Sequence, residues 1–111
     1  MIVCEAPIAV DGDTIKCGTE RVKLRIRLLG IDAPELPGHC RIGRVCTPGD
    51  GFASKRLMAS LVTRGVVQCQ PAGFDRYGRT LARCSVGTVD LSCAMVAAGA
   101  AVYRYGRIAC P

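Results

Sequence analysis

The sequence predicts a mainly β fold with two α-helices, in which five strands close into a small Greek-key barrel. Three observations support this prediction. The first third of the chain alternates apolar and polar residues between glycine-containing turns, as in an antiparallel meander of three strands. A segment with helical apolar spacing then precedes two further strands, and a second such segment follows them. With 111 residues, the chain can form one hydrophobic core, so we expect a single domain spanning residues 1–111.

The first two strands of the meander form a predicted hairpin. Ile2 to Val10 is apolar, and Pro7 within it marks an edge strand or a bulge. Asp11-Gly12-Asp13 is a turn between two apolar runs, and Thr14 to Cys17 is the returning strand. Two carboxylates are therefore expected in a hairpin turn.

The third strand ends in a cluster of charges. It follows a turn at Gly18-Thr19-Glu20 and extends from Val22 to Ile31, where apolar and basic residues alternate before the run becomes fully apolar. Asp32-Ala33-Pro34-Glu35 comes directly after it. We expect this strand to bury its middle and to present two carboxylates at its tip.

The first helix is predicted after an irregular segment of residues 36–51, which is rich in proline and glycine. Asp50 is a suitable N-cap, and Gly65 is the expected C-terminal stop. Helical spacing assigns the apolar face to Phe52, Ala53, Leu57, Leu61 and Val62.

The remaining elements are two strands and a second helix. Val66 to Cys69 is the fourth strand, and Pro71-Ala72-Gly73 is a predicted turn after it. Thr80 to Val86 is the fifth strand. A helix capped by Asp90 is expected to end at Gly99, before a short extended or irregular segment, Ala100 to Tyr105. Five strands with a helix between the third and the fourth fit a barrel of the oligonucleotide-binding (OB-fold) type.

The distribution of charge indicates a site for a phosphate-containing partner. Fifteen basic and nine acidic residues give a net charge of +6, which suits either phosphate binding or simple solubility. Five of the nine acids lie in three short motifs: Asp11, Asp13, Asp32, Glu35 and Asp75. Acids concentrated in this way within a basic domain indicate a metal pocket in a phosphate-attracting field.

The eight cysteines indicate disulfides rather than a zinc site. The sequence contains no Cys-x-x-Cys, and its single histidine, His39, has no second histidine to complete a zinc site. An even number of cysteines points to an oxidising compartment, so we expect a periplasmic or secreted protein. Met1 to Glu5 lacks the features of a signal peptide, so the chain is either made without one or is a mature domain behind an added methionine. No stretch approaches the ~18 apolar residues of a membrane span, and no membrane association is expected.

Three motifs together carry a resemblance to a known family. They are Asp11-Gly12-Asp13-Thr14, the run from Arg27 to Glu35, and Asp75-Arg76-Tyr77-Gly78-Arg79, with a helix between the second and the third. In this order they resemble the staphylococcal nuclease (thermonuclease) family over roughly residues 3–107. The resemblance implies a calcium-dependent endonuclease, a hydrolase that cleaves phosphodiester bonds of DNA and RNA. It also implies a preference for single strands, little sequence specificity and products with 3′-phosphate ends.

The resemblance also implies a metal site. Asp13 and Asp32 match carboxylate ligands of Ca²⁺, and Asp11 matches an outer-shell acid. Ala33 stands where the family has threonine, whose backbone carbonyl is a ligand, so alanine should serve equally well. These are the oxygen donors that Ca²⁺ prefers.

Residues for catalysis and for substrate binding follow from the same resemblance. Glu35 matches the general base or water-positioning group. Arg27 and Arg79 match two arginines that hold the scissile phosphate, since a guanidinium pairs with two phosphate oxygens. Substrate contacts are expected from Tyr77, Tyr105 and Arg76, although the two tyrosines also fit ordinary surface positions.

The chain departs from the family in two places. The sequence ends at Pro111, so we expect it to lack the third, C-terminal helix of larger members, and residues 36–51 are remodelled around two cysteines. We expect disulfides to compensate, because closing a loop of ~15 residues contributes about 3 kcal/mol. The topology pairs the cysteines as Cys4–Cys17, Cys40–Cys46, Cys69–Cys84 and Cys93–Cys110. Alternatively, Cys69 and Cys84 are buried free thiols.

A different class of function competes with the enzyme. Some nuclease-like repeats keep the barrel, lose the acids and serve as non-catalytic OB-fold modules that bind nucleic acid. Here the expected acids and arginines are all present, which favours the enzyme. We expect a monomer whose partners are its DNA and RNA substrates. The preference between DNA and RNA, and replacement of calcium by another metal, are left open by the sequence.

Overall fold

A computed structural model of the protein describes residues 1–18 and 23–111. Thr19, Glu20 and Val22, which we assigned to a turn and to the start of a strand, lie outside the described residues. The described part of the chain contains nine strands and two helices: β1 (Ile2–Cys4), β2 (Ile8–Ala9), β3 (Thr14–Gly18), β4 (Lys23–Leu28), β5 (Ile31–Asp32), α1 (Gly51–Val62), β6 (Val67–Phe74), β7 (Thr80–Val86), β8 (Val89–Asp90), α2 (Leu91–Ala97) and β9 (Val102–Tyr103). The mainly β fold with two helices is confirmed, although these residues form nine strands rather than five.

Most of the strands belong to one curled sheet. Its order is β1-β6-β7-β4-β3-β2, with β8 paired to β7. Neighbours are antiparallel except β4 and β7, which run parallel. The two end strands, β1 and β2, are successive in the chain and are separated only by residues 5–7. This short connection therefore keeps the two ends of the sheet close together. β5 and β9 form a separate antiparallel pair.

Bends divide two of the predicted strands. The first predicted strand is interrupted at residues 5–7, where Ala6 has a φ of 45° and Pro7 has no amide hydrogen to donate. The third bends at Gly30, where the φ of 79° suits glycine, and it resumes as β5. These two breaks place β2 and β5 as separate short strands.

The turn predicted at Pro71-Ala72-Gly73 is wrong. These residues lie inside β6, whose pairing with β7 shifts in register between Pro71 and Gly73. A bulge accommodates both the missing amide hydrogen of proline and the φ of 125° at Gly73. The strand therefore continues to Phe74, and the turn comes at residues 75–79 instead.

Helix α1 packs by a face that only partly matches the predicted one: Leu61 and Val62 are buried as expected and Leu57 packs against the core, whereas Ala53 is exposed. The Asp50 carboxylate accepts a hydrogen bond from the Ala53 amide at 3.0 Å, so the N-cap is confirmed. The buried side chains are Ser54, Met58, Leu61 and Val62. Phe52, expected on this face, is 50% exposed, and the helix ends at a Thr63 cap rather than at Gly65.

Helix α2 has both of its predicted ends. The Asp90 carboxylate accepts from the Cys93 amide at 2.9 Å, and Gly99 ends the helix with a φ of 71°. The Gly99 amide donates to Val96 and the Ala100 amide to Met95, which is the hydrogen-bond pair of a Schellman motif. Among the helices of residues 1–18 and 23–111, none has the length and apolar character needed to cross a bilayer.

Four disulfides link strands, helix and loop. They join Cys4 to Cys17, Cys40 to Cys46, Cys69 to Cys84 and Cys93 to Cys110, which are the predicted pairs. The alternative of free thiols at Cys69 and Cys84 is therefore wrong. The first and third disulfides lie in the hydrophobic core, with Ile15, Ile26, Met58, Leu91 and Met95. The second lies in the loop after Glu35.

Candidate active site

Two buried carboxylates and one buried arginine form the centre of the site. Asp13, Asp32 and Arg27 are 5%, 0% and 7% exposed. The pairing of β3 with β4 sets Thr14 opposite Arg27, which brings the Asp11–Asp13 hairpin turn beside the arginine. Arg27 Nη2 lies 3.3 Å from Asp13 Oδ2 and 3.0 Å from Asp32 Oδ1. The arginine thus holds the two acids on either side of one guanidinium nitrogen.

The other guanidinium nitrogen of Arg27 is bound to backbone. Nη1 donates to the carbonyls of Leu28 at 3.0 Å and Ile31 at 2.9 Å. A buried charge needs such partners, and these two come from the ends of the bend between β4 and β5. Arg27 is therefore fixed in place.

Asp13 is incompletely neutralised. Its Oδ1 accepts from the Thr14 hydroxyl at 3.0 Å, and its Oδ2 accepts from the Ala33 amide at 2.8 Å. Burial raises the pKa of Asp13 to about 7; Arg27 opposes this shift, and the neighbouring Asp11 adds to it. A buried carboxylate with a raised pKa is stabilised by additional positive charge.

Asp32 is surrounded by donors on both oxygens. Its Oδ1 accepts from Arg27 Nη2 and from Arg44 Nη2, each at 3.0 Å. Its Oδ2 accepts from the Thr47 hydroxyl at 2.6 Å and from Arg104 Nη1 at 3.3 Å. Three arginines therefore surround one completely buried acid.

Glu35 lies beside Arg44, one of the three arginines that surround Asp32. Its Oε1 accepts from Arg44 Nη1 at 2.7 Å, and its side chain is partly exposed to the cleft. Partial burial by itself would lower the pKa of Arg44, but Glu35, Asp32 and Tyr105 together raise it. Arg44 is therefore held as a cation between the two carboxylates.

Helix α1 fixes the backbone around these acids. A Cβ added at Gly51 would collide with the backbone carbonyl of Glu35. A Cβ added at Gly12 would lie 2.7 Å from the Cβ atoms of both Ala33 and Ser54. Since real Cβ atoms do not approach so closely, only glycine permits the hairpin turn and the helix to pack against the end of β5.

The turn between β6 and β7 presents the third motif. Asp75 Oδ1 accepts from the amides of Tyr77 and Arg79, each at 2.9 Å, and Asp75 Oδ2 lies 2.6 Å from Arg79 Nε. Desolvation raises the pKa of Asp75, but the bonds from Arg79 and Tyr77 outweigh it and lower the pKa. Asp75 thus orders the turn and directs Arg79. In the described part of the chain, the Nη atoms of Arg79 have no protein hydrogen bond.

Two exposed tyrosines have arginine neighbours. The ring centroid of Tyr77 lies 5.0 Å from the guanidinium carbon of Arg41, 5.1 Å from that of Arg76 and 5.6 Å from that of Arg79. The ring centroid of Tyr105 lies 4.7 Å from the guanidinium carbon of Arg104. Both tyrosines are more than half exposed. Each tyrosine ring, together with its arginine neighbours, therefore offers a surface that is both aromatic and positively charged.

These groups surround one cleft of about 950 Å³. Of the sequence-predicted site residues, the cleft brings together Asp11, Asp13, Arg27, Glu35, Arg76, Tyr77, Arg79 and Tyr105. Asp32 and Ala33 do not line it; they lie behind Asp13 and Arg27, within the core. Six lining side chains are arginines, so the cleft attracts anions despite its acids.

Several site residues were not predicted. Arg44, Thr47 and Arg104 all contact Asp32, and Arg41 contacts Tyr77. Arg41 and Arg44 were recognisable as the basic residues of an irregular segment. Nothing in their spacing indicated that the segment returns over the cleft, because that path depends on the Cys40–Cys46 disulfide and on tertiary contacts.

The carboxylate pair fits a hard divalent cation. Asp13 and Asp32 supply only oxygen donors, and the raised pKa of Asp13 marks a need for positive charge. Within residues 1–18 and 23–111, no group of three or more His, Cys, Asp or Glu residues is placed to bind a metal ion. A cation here would therefore also need backbone carbonyls or waters.

Known proteins share this sequence pattern. Residues 25–109 match the family described as staphylococcal nuclease homologue. The chain is 39% identical over 74 residues to a micrococcal nuclease of Shigella flexneri, covering 65% of this chain and 36% of that protein. It is 36% identical over 80 residues to an uncharacterized endonuclease of Haemophilus influenzae, covering 71% and 39%. The protein ParB of Escherichia coli is 35% identical over 72 residues, covering 65% and 35%.

The chain thus spans little more than a third of the length of these relatives. The family match itself covers most of the chain and includes the second and third motifs, from Arg27 to Arg79. By its motifs, its fold and this match, the chain belongs to the staphylococcal nuclease homologue family.

Proposed function

We propose that the protein is an endonuclease that hydrolyses phosphodiester bonds of DNA and RNA. The observation that carries the proposal is the meeting of the three motifs around one arginine-lined cleft. Nucleases among the relatives support it. The cleft is lined by carboxylates, by six arginines and by two exposed tyrosines.

Two arginines bind the scissile phosphate in this proposal. Arg79 has both Nη atoms free of hydrogen bonds to the described residues, and Asp75 holds its Nε at 2.6 Å. Its fork is therefore oriented before the substrate arrives, which is the arrangement that stabilises developing charge in a transition state. Arg27 also lines the cleft and adds positive charge there.

Glu35 is the proposed general base. It is a partly exposed carboxylate that lines the same cleft as Arg79, and in this proposal it takes a proton from the water that attacks the phosphate. Transfer of the proton from water to Glu35 leaves a hydroxide that attacks phosphorus. The bond between phosphorus and the 5′-oxygen then breaks, the 5′-oxygen takes up a proton from solvent, and the 3′-phosphate end that we propose for the product remains.

We propose Ca²⁺ as the cofactor, with Asp13, Asp32 and the Ala33 carbonyl as the residues that hold it and Asp11 as an outer-shell acid. When bound, such an ion would polarise a phosphate oxygen and orient the attacking water. The carboxylate donor set and the raised pKa of Asp13 support a hard divalent cation.

Exposed aromatic rings favour single-stranded substrates. Tyr77 and Tyr105 present their rings near arginines, and unpaired bases of any sequence can stack on such faces. Arg76 adds a basic contact next to Tyr77. We therefore propose a preference for single strands with little sequence specificity, and action as a monomer in the periplasm or outside the cell, where disulfides persist.

The test is digestion of a single-stranded DNA, a duplex DNA and an RNA by the oxidised protein, in Ca²⁺ and in a chelator. We expect cleavage only with Ca²⁺, fastest on single strands and RNA, and 3′-phosphate ends on the products. The matched control is Arg64→Ala, which removes an exposed arginine outside the cleft and should leave cleavage unchanged.

The second candidate is a non-catalytic module that binds nucleic acid. One observation favours it: Arg44 already neutralises both Asp32 and Glu35. Retention of oligonucleotide in Ca²⁺ without any cleavage by the wild-type protein would establish this candidate and would refute the enzyme.

A further inference from the structure

Arg44 is a cation that bridges the proposed base, Glu35, and a proposed metal ligand, Asp32. Its Nη1 is 2.7 Å from Glu35 Oε1, and its Nη2 is 3.0 Å from Asp32 Oδ1. The two guanidinium nitrogens thus bind two different carboxylates. A divalent cation that uses Asp32 and acts next to Glu35 would need this same region.

Asp32 cannot accept a metal without losing a partner. Its two oxygens already accept four hydrogen bonds, which is the ordinary capacity of an ionised carboxylate. Binding a metal through either oxygen therefore displaces at least one of the four donors.

Arg44 is the donor best able to leave. Arg27 is bound to two carbonyls, and its side chain is 9% exposed, whereas the side chain of Arg44 is 35% exposed. Arg104 keeps a second bond, at 2.8 Å to the Val45 carbonyl. Both side-chain hydrogen bonds of Arg44 are to acids, so its departure removes one donor from Asp32 and one from Glu35 in a single movement. Asp32 keeps its bonds from Arg27, Thr47 and Arg104.

The loop that carries Arg44 keeps the arginine close after it leaves. We call residues 40–47 the Arg44 loop; a disulfide between Cys40 and Cys46 closes it. The Thr47 hydroxyl attaches the loop to Asp32, and Arg104 attaches it by donating to the Val45 carbonyl. Displacement can therefore be a local rotation of one side chain, without separation of the loop from the domain.

We propose that Arg44 is a displaceable internal counter-cation, which binds Asp32 and Glu35 in the absence of metal and exchanges with the divalent cation. This proposal rests on the proposed function, because it assumes that a metal uses Asp32. It assigns Arg44 as a positioning residue that keeps both acids ordered until the metal arrives. A phosphate that binds the released guanidinium would hold the loop in the exchanged state, so metal and substrate favour each other's binding.

The test is calcium binding measured by titration calorimetry on the oxidised protein, independently of cleavage. Arg44→Gln removes the competing charge, so its Ca²⁺ affinity should rise by about tenfold over that of the wild type. Arg44→Lys keeps the charge and should stay nearer to the wild type. Arg64→Gln, which removes an exposed arginine outside the cleft, is the matched control and should not change the affinity.

A purely structural role for Arg44 makes the opposite prediction. Removal of the arginine would then loosen the acids and weaken Ca²⁺ binding. An equal or lower affinity in Arg44→Gln, or the absence of measurable Ca²⁺ binding by both proteins, overturns the proposal.

A second measurement on the wild-type protein guards against a misfolded variant. Exchange of Arg44 for metal should speed the exchange with solvent of the Arg44 guanidinium protons, followed by NMR, when Ca²⁺ is added. Unchanged or slower exchange of these protons would contradict the proposal. A higher Ca²⁺ affinity of Arg44→Gln, in a protein that cleaves no nucleic acid, would refute the proposed nuclease activity and still support the exchange of Arg44 for metal. The two failures are therefore distinguishable.

Discussion

Gly51 and Glu35 are in backbone contact: the first residue of α1 packs against the carbonyl of the proposed base with no room for a Cβ. The contact fixes the end of the segment that carries Glu35 against a helix whose N-terminus is capped by Asp50. The position of Glu35 therefore depends on Gly51, which has no chemical role in the proposed reaction.

Gly51→Ala should damage both stability and activity. The new methyl group forces the helix and the Glu35 backbone apart, and overpacking of this kind costs typically 1–3 kcal/mol. Thermal melting should show the loss of stability, and cleavage assays should show a lower turnover. Phe52→Ala, which removes an exposed side chain at the next position, should remain within about 0.5 kcal/mol of the wild type. Equal melting temperatures for Gly51→Ala and the wild type would contradict the contact.

The raised pKa of Asp13 predicts a pH dependence in metal-free protein. Burial raises this pKa from 3.8 to about 7, so between these values the folded state binds more protons than the unfolded state. The contribution of Asp13 to stability is therefore greatest at low pH and declines as the pH rises from about 4 to about 7.

Asp13→Asn isolates this effect. The variant cannot titrate at position 13, so the difference in unfolding free energy between it and the wild type should change across that range, in favour of the variant at higher pH. Denaturant melts at several pH values in chelator measure the difference. A difference that stays constant with pH would show that Asp13 has no raised pKa.

Asp75 should act through Arg79. Asp75→Asn weakens the contact at 2.6 Å to Arg79 Nε while it leaves an oxygen for the Tyr77 and Arg79 amides. We expect turnover to fall by roughly tenfold, since a charge-assisted bond contributes about 1.5–3 kcal/mol and part of it is kept. Arg79→Ala should cost more. Steady-state cleavage of a labelled oligonucleotide measures both, and an unaffected Asp75→Asn enzyme would refute the positioning role.

The four disulfides should differ in what they stabilise. The Cys69–Cys84 disulfide joins β6 to β7 inside the core, whereas Cys40–Cys46 closes an exposed loop over a separation of 6 residues. Replacing Cys69 and Cys84 by alanine should cost about 3 kcal/mol or more of stability. Replacing Cys40 and Cys46 by serine should cost about 2 kcal/mol. The loss of the Cys40–Cys46 disulfide should also alter the Ca²⁺ affinity, since it frees the Arg44 loop. Equal losses of stability with no change in Ca²⁺ affinity would contradict this assignment.

Local chemistry explains which elements could be predicted. Asp50, Asp90 and Gly99 cap helices through contacts within a few residues, so their roles are encoded nearby. The motif acids and arginines were predictable because their order along the chain carries the family pattern. The cleft then brings most of them together.

Tertiary context explains what sequence reasoning missed. Phe52 is apolar and at the right spacing, yet the close packing of Gly51 and Ser54 turns it to solvent. Pro71 and Gly73 have the composition of a turn but form a bulge because β7 pairs across them. Arg44 contacts acids 9 and 12 residues before it, through a loop path that periodicity does not describe.

The most direct test of the proposed chemistry is single-turnover cleavage of a single-stranded oligonucleotide in Ca²⁺ by the wild type and by Glu35→Gln. The substitution keeps the shape of the side chain and removes its ability to take a proton, and general-base catalysis contributes about 10²–10⁴-fold. Glu5→Gln, at an exposed position outside the cleft, is the matched control. We expect Glu35→Gln to lose at least about a hundredfold in rate while Glu5→Gln keeps the wild-type rate. Cleavage by Glu35→Gln at the wild-type rate would contradict the role of Glu35 and the mechanism built on it.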